Sequence, residues 1–272
     1  MRDILVHATQ YEQWTPTVRY AAELVGRLRA SLTSVWCEPP VDAVVAGDVG
    51  ALVALAAVAP PIHVEQARAV APRFDSWSAS LGAAHSDWLV CELDPVFAIQ
   101  QLARWHDLVI LGGGQNTPWG SEAALAEILV RTQSPCLVVP QDRHTEFRLR
   151  RAVVAWNGST CAAAAVHDAI PLLALCEKVL VLSGEHSGQA SRQPKFDIGR
   201  YLDRHGIAHE VIALDDNASE SAGEILLQEA SAVQADLLVM GAFGRSRLSE
   251  WVLGGVSRHM LTHCTIPMLM RH

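Results

Sequence analysis

The chain has 272 residues, of which 50% are hydrophobic and 18% charged, and a net charge of −8. That length suits two domains of about 100–150 residues each and is enough to bury a sizeable core. The negative balance excludes a nucleic-acid footprint, which needs clustered positive charge.

Apolar runs at 3–8, 31–37, 87–92, 107–112 and 135–140 read as strands, and stretches near 14–29, 64–83, 94–105 and 119–132 read as helices. The opening MRDILVHAT enters a strand at once with no basic leader, so no signal peptide is expected. The Ala/Val/Pro-rich stretch 39–62 is excess length, read as a local insertion after the second strand that folds as a short apolar helix over the sheet. It carries Asp42, Asp48 and several glycines, so it falls short of the ~20 uninterrupted apolar residues of a membrane span. The polar segment QDRHTEFRLR at 141–150 serves as a linker. It divides the chain near residue 145 into domains at 1–144 and 150–272. Beyond it, strands near 151–156, 178–183, 208–214, 236–241 and 266–270 alternate with helices near 160–175, 194–205, 218–234 and 247–263. A soluble, cytoplasmic protein is expected.

The order of elements repeats once. HDLVILGGG at 106–114 echoes ADLLVMGAFG at 235–244, TQSPCLVVP at 132–140 echoes HCTIPMLMR at 263–271, and RDILVHAT at 2–9 matches RAVVAWNGS at 151–159. Several strands are continuous Val/Ile/Leu runs, as when helices cover both faces of a parallel sheet. The fold class is therefore α/β, with two tandem doubly wound, parallel five-stranded sheets of Rossmann-like or flavodoxin-like layout.

One motif carries chemistry. GAFGRSRLSEWVLGGVS at 241–257 spaces its glycines as Gly241-x2-Gly244-x9-Gly254-Gly255. Glycines at a strand end let the backbone turn and approach a ligand without a Cβ in the way. The helix that follows offers free N–H groups and its positive dipole end to a phosphate. Arg245 and Arg247 add charge, Ser246 and Ser257 add hydroxyls, and Val256 lies between Gly255 and Ser257 in the cradle.

The segment resembles the G-x2-G-x9-G-(Ser/Thr) signature of the universal stress protein family, and the flanking ADLLVMGAFGRSRL and TIPMLM are similar to that family as well. The resemblance covers the second half and reaches the first by element order only. It implies an adenine nucleotide alpha hydrolase-like fold and an ATP site, with an Asp after the first strand near the adenine. Here Gly255 stands where the family has Ser/Thr, and Asn157 where it has Asp. An amide still donates and accepts hydrogen bonds. Two readings stay open for the glycines, a phosphate cradle or only a tight turn and helix start.

The first half is degenerate. Its turn is Gly112-Gly113-Gly114-Gln115, Glu122 falls where Gly254 sits, and Ala8 matches Asn157. A carboxylate at the helix start repels phosphate, so no nucleotide is expected there. The six cysteines form no CxxC pair and read as reduced, buried thiols. His259 and His263 share a helix face beside Cys264, but with no further ligand they read as helix-end histidines, not a metal site. The eight tryptophans, scattered singly, read as packing residues.

No nucleophile elbow, zinc-protease or Walker pattern occurs. Ser159 and Thr160 read as a helix cap, and Asp215 and Asp216 as loop and cap. The reading is a non-enzymatic, stress-associated tandem protein that binds ATP in its second half and acts through protein partners. The alternative is a nucleotide-free scaffold, and a hydrolase or transferase on the same fold stays open. Family protomers pair through the last strand; here that pairing can close internally in a monomer, or a homodimer of tandems can form.

Overall fold

The computed structural model describes residues 1–38, 62–113, 119, 121–141, 147–184, 197–214, 221–243 and 255–272. The expected insertion at 39–62 lies outside them except for Ile62. The chain divides into two compact units, Met1–Leu111 and Gly112–His272, where the linker reading puts the boundary near 145, a position outside the described residues.

The first unit runs β1 (Asp3–Ala8), α1 (Pro16–Leu28), β2 (Ser31–Cys37), α2 (Ile62–Arg68), α3 (Ala71–Ser80), β3 (His85–Cys91), α4 (Pro95–Leu102) and β4 (Leu108–Gly113), whose last two residues count with the second unit. Its strands lie in the order β3-β2-β1-β4, all parallel. Ile4, Leu5 and Val6 of β1 and the run Leu108–Leu111 of β4 are fully buried, as continuous apolar strands covered on both faces must be. The helix expected over 64–83 splits into α2 and α3. Pro72 has no N–H to return to Arg68, so the first helix ends before it. Thr15 caps α1, its hydroxyl accepting from Val18 N–H ahead of Pro16, in keeping with the preference for Thr at the cap and Pro just inside.

The second unit contains α5 (Glu122–Arg131), β5 (Cys136–Pro140), β6 (Arg151–Trp156), α6 (Thr160–Leu173), β7 (Lys178–Ser183), α7 (Ile198–Arg204), β8 (His209–Ala213), α8 (Ala222–Ala232), β9 (Leu237–Gly241), α9 (Gly255–His263) and β10 (Met268–Arg271). The order is β5-β10-β9-β6-β7-β8, parallel from β10 to β8. Strand β5 is antiparallel to β10, with Leu137 opposite Leu269, so this sheet is mixed. The last strand of the first repeat thus pairs with the last strand of the second.

The aspartate that opens each repeated D-apolar-Gly run has a structural task. Asp107 accepts from the N–H groups of Arg2 and Asp3 at the start of β1, and Asp236 accepts from Arg150 and Arg151 N–H at the start of β6, at 2.9 and 3.0 Å. Burial pushes the Asp107 carboxyl up, but the two amides outweigh it and hold the group below its ordinary value. Each carboxylate fastens the amino ends of two neighbouring strands.

In the second unit the chain winds from β6 outward through β7 to β8, then crosses back to β9 on the other side of β6. This is the reversal point of a doubly wound sheet, and the crevice beyond the carboxyl ends of β6 and β9 is where such sheets hold ligands. Among the described residues, no helix is long and apolar enough to cross a membrane.

Candidate functional site

Ala155 of β6 stands opposite Met240 of β9, so Asn157 and Gly241 lie at neighbouring strand exits. Past Trp156 the chain makes a tight turn. Asn157 Oδ1 accepts from Ser159 N–H at 3.1 Å, and Gly158 takes φ 69°, a left-handed conformation that glycine adopts without strain. Ser159 Oγ then accepts from Ala162 N–H at 3.2 Å and caps α6.

Gly241 ends β9 hard against that cap. A Cβ there would lie 2.6 Å from Ala162 N, 2.7 Å from Cys161 C and 3.0 Å from Ala162 Cα. The glycine is required by this close approach of backbone to backbone. Ala242 is fully buried, its N–H donating to Arg271 O at 2.8 Å and its carbonyl lying 3.2 Å from His272 Nδ1. Phe243 follows at φ 56°, uncommon for a residue with a side chain. Its N–H donates to Ser257 Oγ at 3.4 Å.

Helix α9 opens at Gly255, where an added Cβ would meet nothing within 4 Å. Gly255 and Val256 are exposed, while Ser257 is buried. The first N–H groups of an α-helix have no partner within the helix, and such an end attracts an anion. The Ser257 hydroxyl is engaged with the Phe243 backbone and braces the strand exit against α9. Of the expected site residues, the structure describes Asn157, Gly241, Gly255, Val256 and Ser257; Gly244, Arg245, Ser246, Arg247 and Gly254 lie outside the described residues.

Two residues at this end escape the motif. Arg271 stands beside Gly241 in the β10–β9 register, with Nε 3.0 Å from the Asp168 carboxylate of α6. That nitrogen is sealed from solvent and not aimed along a hydrogen bond, so the contact is an ion pair. His272 packs near the Phe243 ring, centroids 6.3 Å apart. Neither sits in a recognisable pattern; only the end of β10 beside β9 points to them.

In the first unit, aromatic side chains that follow β1 pack against β2, β3 and the helices beside them. Tyr11 meets Trp36 edge-on with centroids 5.1 Å apart, and its hydroxyl donates to Gln66 Oε1 at 3.0 Å and lies 3.2 Å from His63 Nδ1. Arg73 donates to the carbonyls of Tyr11 and Glu12 at 3.0 and 2.7 Å and covers the Trp14 ring at 4.8 Å. Trp14 in turn stacks on Trp77 and touches Phe74 and Trp88. Three of the scattered tryptophans therefore converge in one aromatic cluster. In the second unit, Gly113 has a packing reason, since an added Cβ would run into Val138 Cγ1, whereas at Gly112 it would meet only the Gln141 side chain, which can move.

Among the described residues, no three His, Cys, Asp or Glu side chains gather as a metal would require. His259 and His263 stack ring on ring at 4.3 Å, and His263 Nδ1 lies 2.9 Å from His259 O.

Residues 148–272 match the family model described as "Universal stress protein family". A curated relative, universal stress protein Slr1230 of Synechocystis sp., is 28% identical over 192 residues, a stretch that covers 63% of this chain and 60% of the relative. The chain thus spans less than two thirds of that relative's length. Among solved structures, a universal stress protein from Archaeoglobus fulgidus superposes with TM-score 0.71 at 14% identity, covering 99% of this chain and 95% of that one. The functionally unknown protein PA1789 of Pseudomonas aeruginosa superposes with TM-score 0.61 at 15% identity, covering 100% and 92%. At such identities the likeness speaks for the fold.

Proposed function

We propose that the chain is a member of the universal stress protein family, a reading supported by the match over residues 148–272, and that its second unit binds ATP beyond the carboxyl ends of β6 and β9 and acts in stress responses through protein partners, without catalysis. The observation that carries this reading is the open start of α9. Gly255 is exposed, and a Cβ added there would meet nothing within 4 Å, while Asn157 leaves β6, the strand beside β9. The residues present fit the nucleotide as follows. The N–H groups of Gly255 and Val256 would hold phosphate oxygens, joined by Gly244, Arg245, Arg247 and Gly254 of the same motif. The Asn157 amide would face the nucleoside, and Ser257 would keep the cradle in shape through Phe243. Bound ATP would supply a ligand whose presence or absence partners read. In the first repeat, Ala8 stands where Asn157 does and Glu122 where Gly254 does, which supports a single site per chain.

Calorimetric titration of the full chain with Mg-ATP tests this. A saturable heat at one site, weakened at least tenfold in Asn157→Ala, is expected. The absence of heat, together with no nucleotide protection against thermal unfolding, would reject ATP binding. One observation favours the nucleotide-free scaffold instead. Asn157 Oδ1 is already engaged by Ser159 N–H, a turn-forming role that needs no ligand. Native mass spectrometry separates the two readings, since the purified chain either carries a nucleotide mass or does not. The protein's cytoplasmic placement and its choice between internally paired monomer and homodimer belong to the same proposal.

A further inference from the structure

Cys37 and Cys91 are the last residues of β2 and β3, and the parallel register sets them directly opposite each other. Aligned residues on neighbouring parallel strands point to the same face, with backbones about 4.8 Å apart. Disulfides form when the Cα atoms stand roughly 4.4–6.8 Å apart. Both thiols are free, and no other two cysteines face each other in the described pairings. Cys37 is buried, while Cys91 is half-buried and reachable from solvent. Both strands end at this pair, and Glu38 N–H donates to Cys91 O at 2.9 Å just beyond it.

We infer that Cys37 and Cys91 are a redox-responsive pair that closes into an intrachain disulfide across β2 and β3 on exchange with a low-molecular-weight disulfide. The thiolate of Cys91 attacks the small disulfide, releasing one small thiol and leaving a mixed disulfide on Cys91. Cys37 then gives up its proton and attacks the Cys91 sulfur, releasing the second small thiol. Two protein thiols are oxidised and one small disulfide is reduced to two thiols, so electrons and protons balance. The order follows from access. Cys91 meets solvent first; burial pushes both thiols up, Cys37 to about 12, so exchange is slow and the second step relies on the register that sets the two residues side by side. The link would fasten the residue after Trp36, at the end of the sheet where Tyr11 and Trp36 pack.

The test is incubation of the reduced full chain with glutathione disulfide, then blocking of remaining thiols under denaturing conditions and non-reducing peptide mapping. The peptides holding Cys37 and Cys91 should appear joined, both residues lost together from the blocked pool and both restored by dithiothreitol. C37S should stop at a persistent glutathione adduct on Cys91. The inference is overturned if both residues in the unmutated chain stay open to blocking, if Cys91 keeps glutathione while Cys37 remains blocked as a thiol, or if either joins a different cysteine. The map of the unmutated chain decides the matter by itself should C37S fail to fold.

Discussion

Replacing Gly241 by Ala adds one methyl group where the structure has no room for it. The new Cβ would lie 2.6 Å from Ala162 N, 2.7 Å from Cys161 C and 3.0 Å from Ala162 Cα. All three neighbours are backbone atoms in the first turn of α6, so no side chain can rotate away and the helix start must retreat from β9. Overpacking of this kind costs about 3 kcal/mol, the upper end for cores that cannot yield by side-chain motion. For a unit of this size, about 2–4 °C of melting temperature is lost per kcal/mol, giving a drop of about 6–12 °C. Thermal unfolding followed by far-ultraviolet circular dichroism measures it. Gly255→Ala is the matched control, because its Cβ would meet nothing within 4 Å and alanine favours a helix over glycine. It should melt at or slightly above the unmutated chain. If Gly241→Ala melts with the unmutated chain, or Gly255→Ala is the more damaging, the close approach of β9 to α6 is not what requires glycine at 241.

Two other predictions concern the first unit. Burial lowers His7 from 6.5 to about 4, so the unfolded chain takes up a proton that the folded chain refuses. Stability is then full above about pH 6.5 and falls as pH drops toward 4, by about 3 kcal/mol over the window; His7→Leu should flatten that slope in denaturant titrations, and an unchanged slope would remove His7 as its cause. Arg73→Ala removes two carbonyl contacts and the cation over Trp14, and should cost about 1–2 kcal/mol. Tryptophan fluorescence should shift with it, and Arg73→Lys should recover only part of the loss, because both carbonyls accept from the one nitrogen Nη2 and an ammonium can replace that donor but not the planar guanidinium over the Trp14 ring; full recovery by lysine would contradict the role given to the stacked guanidinium.

Local signals carried most of the fold. The strand at 151–156 and the helix start at Thr160 stand where apolar runs and the Ser159 cap place them, because continuous Val/Leu runs and capping residues act over a few positions. Pairing partners are another matter. The run CLVVP reads the same whether its neighbour is parallel or antiparallel, so the β5–β10 ladder has no signature in either strand. The aromatic cluster was hidden for the same reason, since Trp14 is remote in sequence from Phe74, Trp77 and Trp88. At the site, glycine spacing marked Gly241 because the close approach of its backbone to α6 is written in the residue itself; the same spacing marked Gly255, where no crowding calls for glycine. The use of the Ser257 hydroxyl by Phe243 N–H, and the presence of Arg271 and His272 beside the strand exit, depend on tertiary placement and leave no local trace.

The antiparallel seam between β5 and β10 also bears on how the gene could be divided. A fragment cut at the polar linker would carry Met268, Leu269 and Met270, all almost fully buried in the intact chain, on a sheet margin stripped of its neighbour. An open margin of that kind recruits whatever strand it meets, first of all another copy of itself. A fragment of the second repeat intended to stay monomeric should therefore keep residues 136–140.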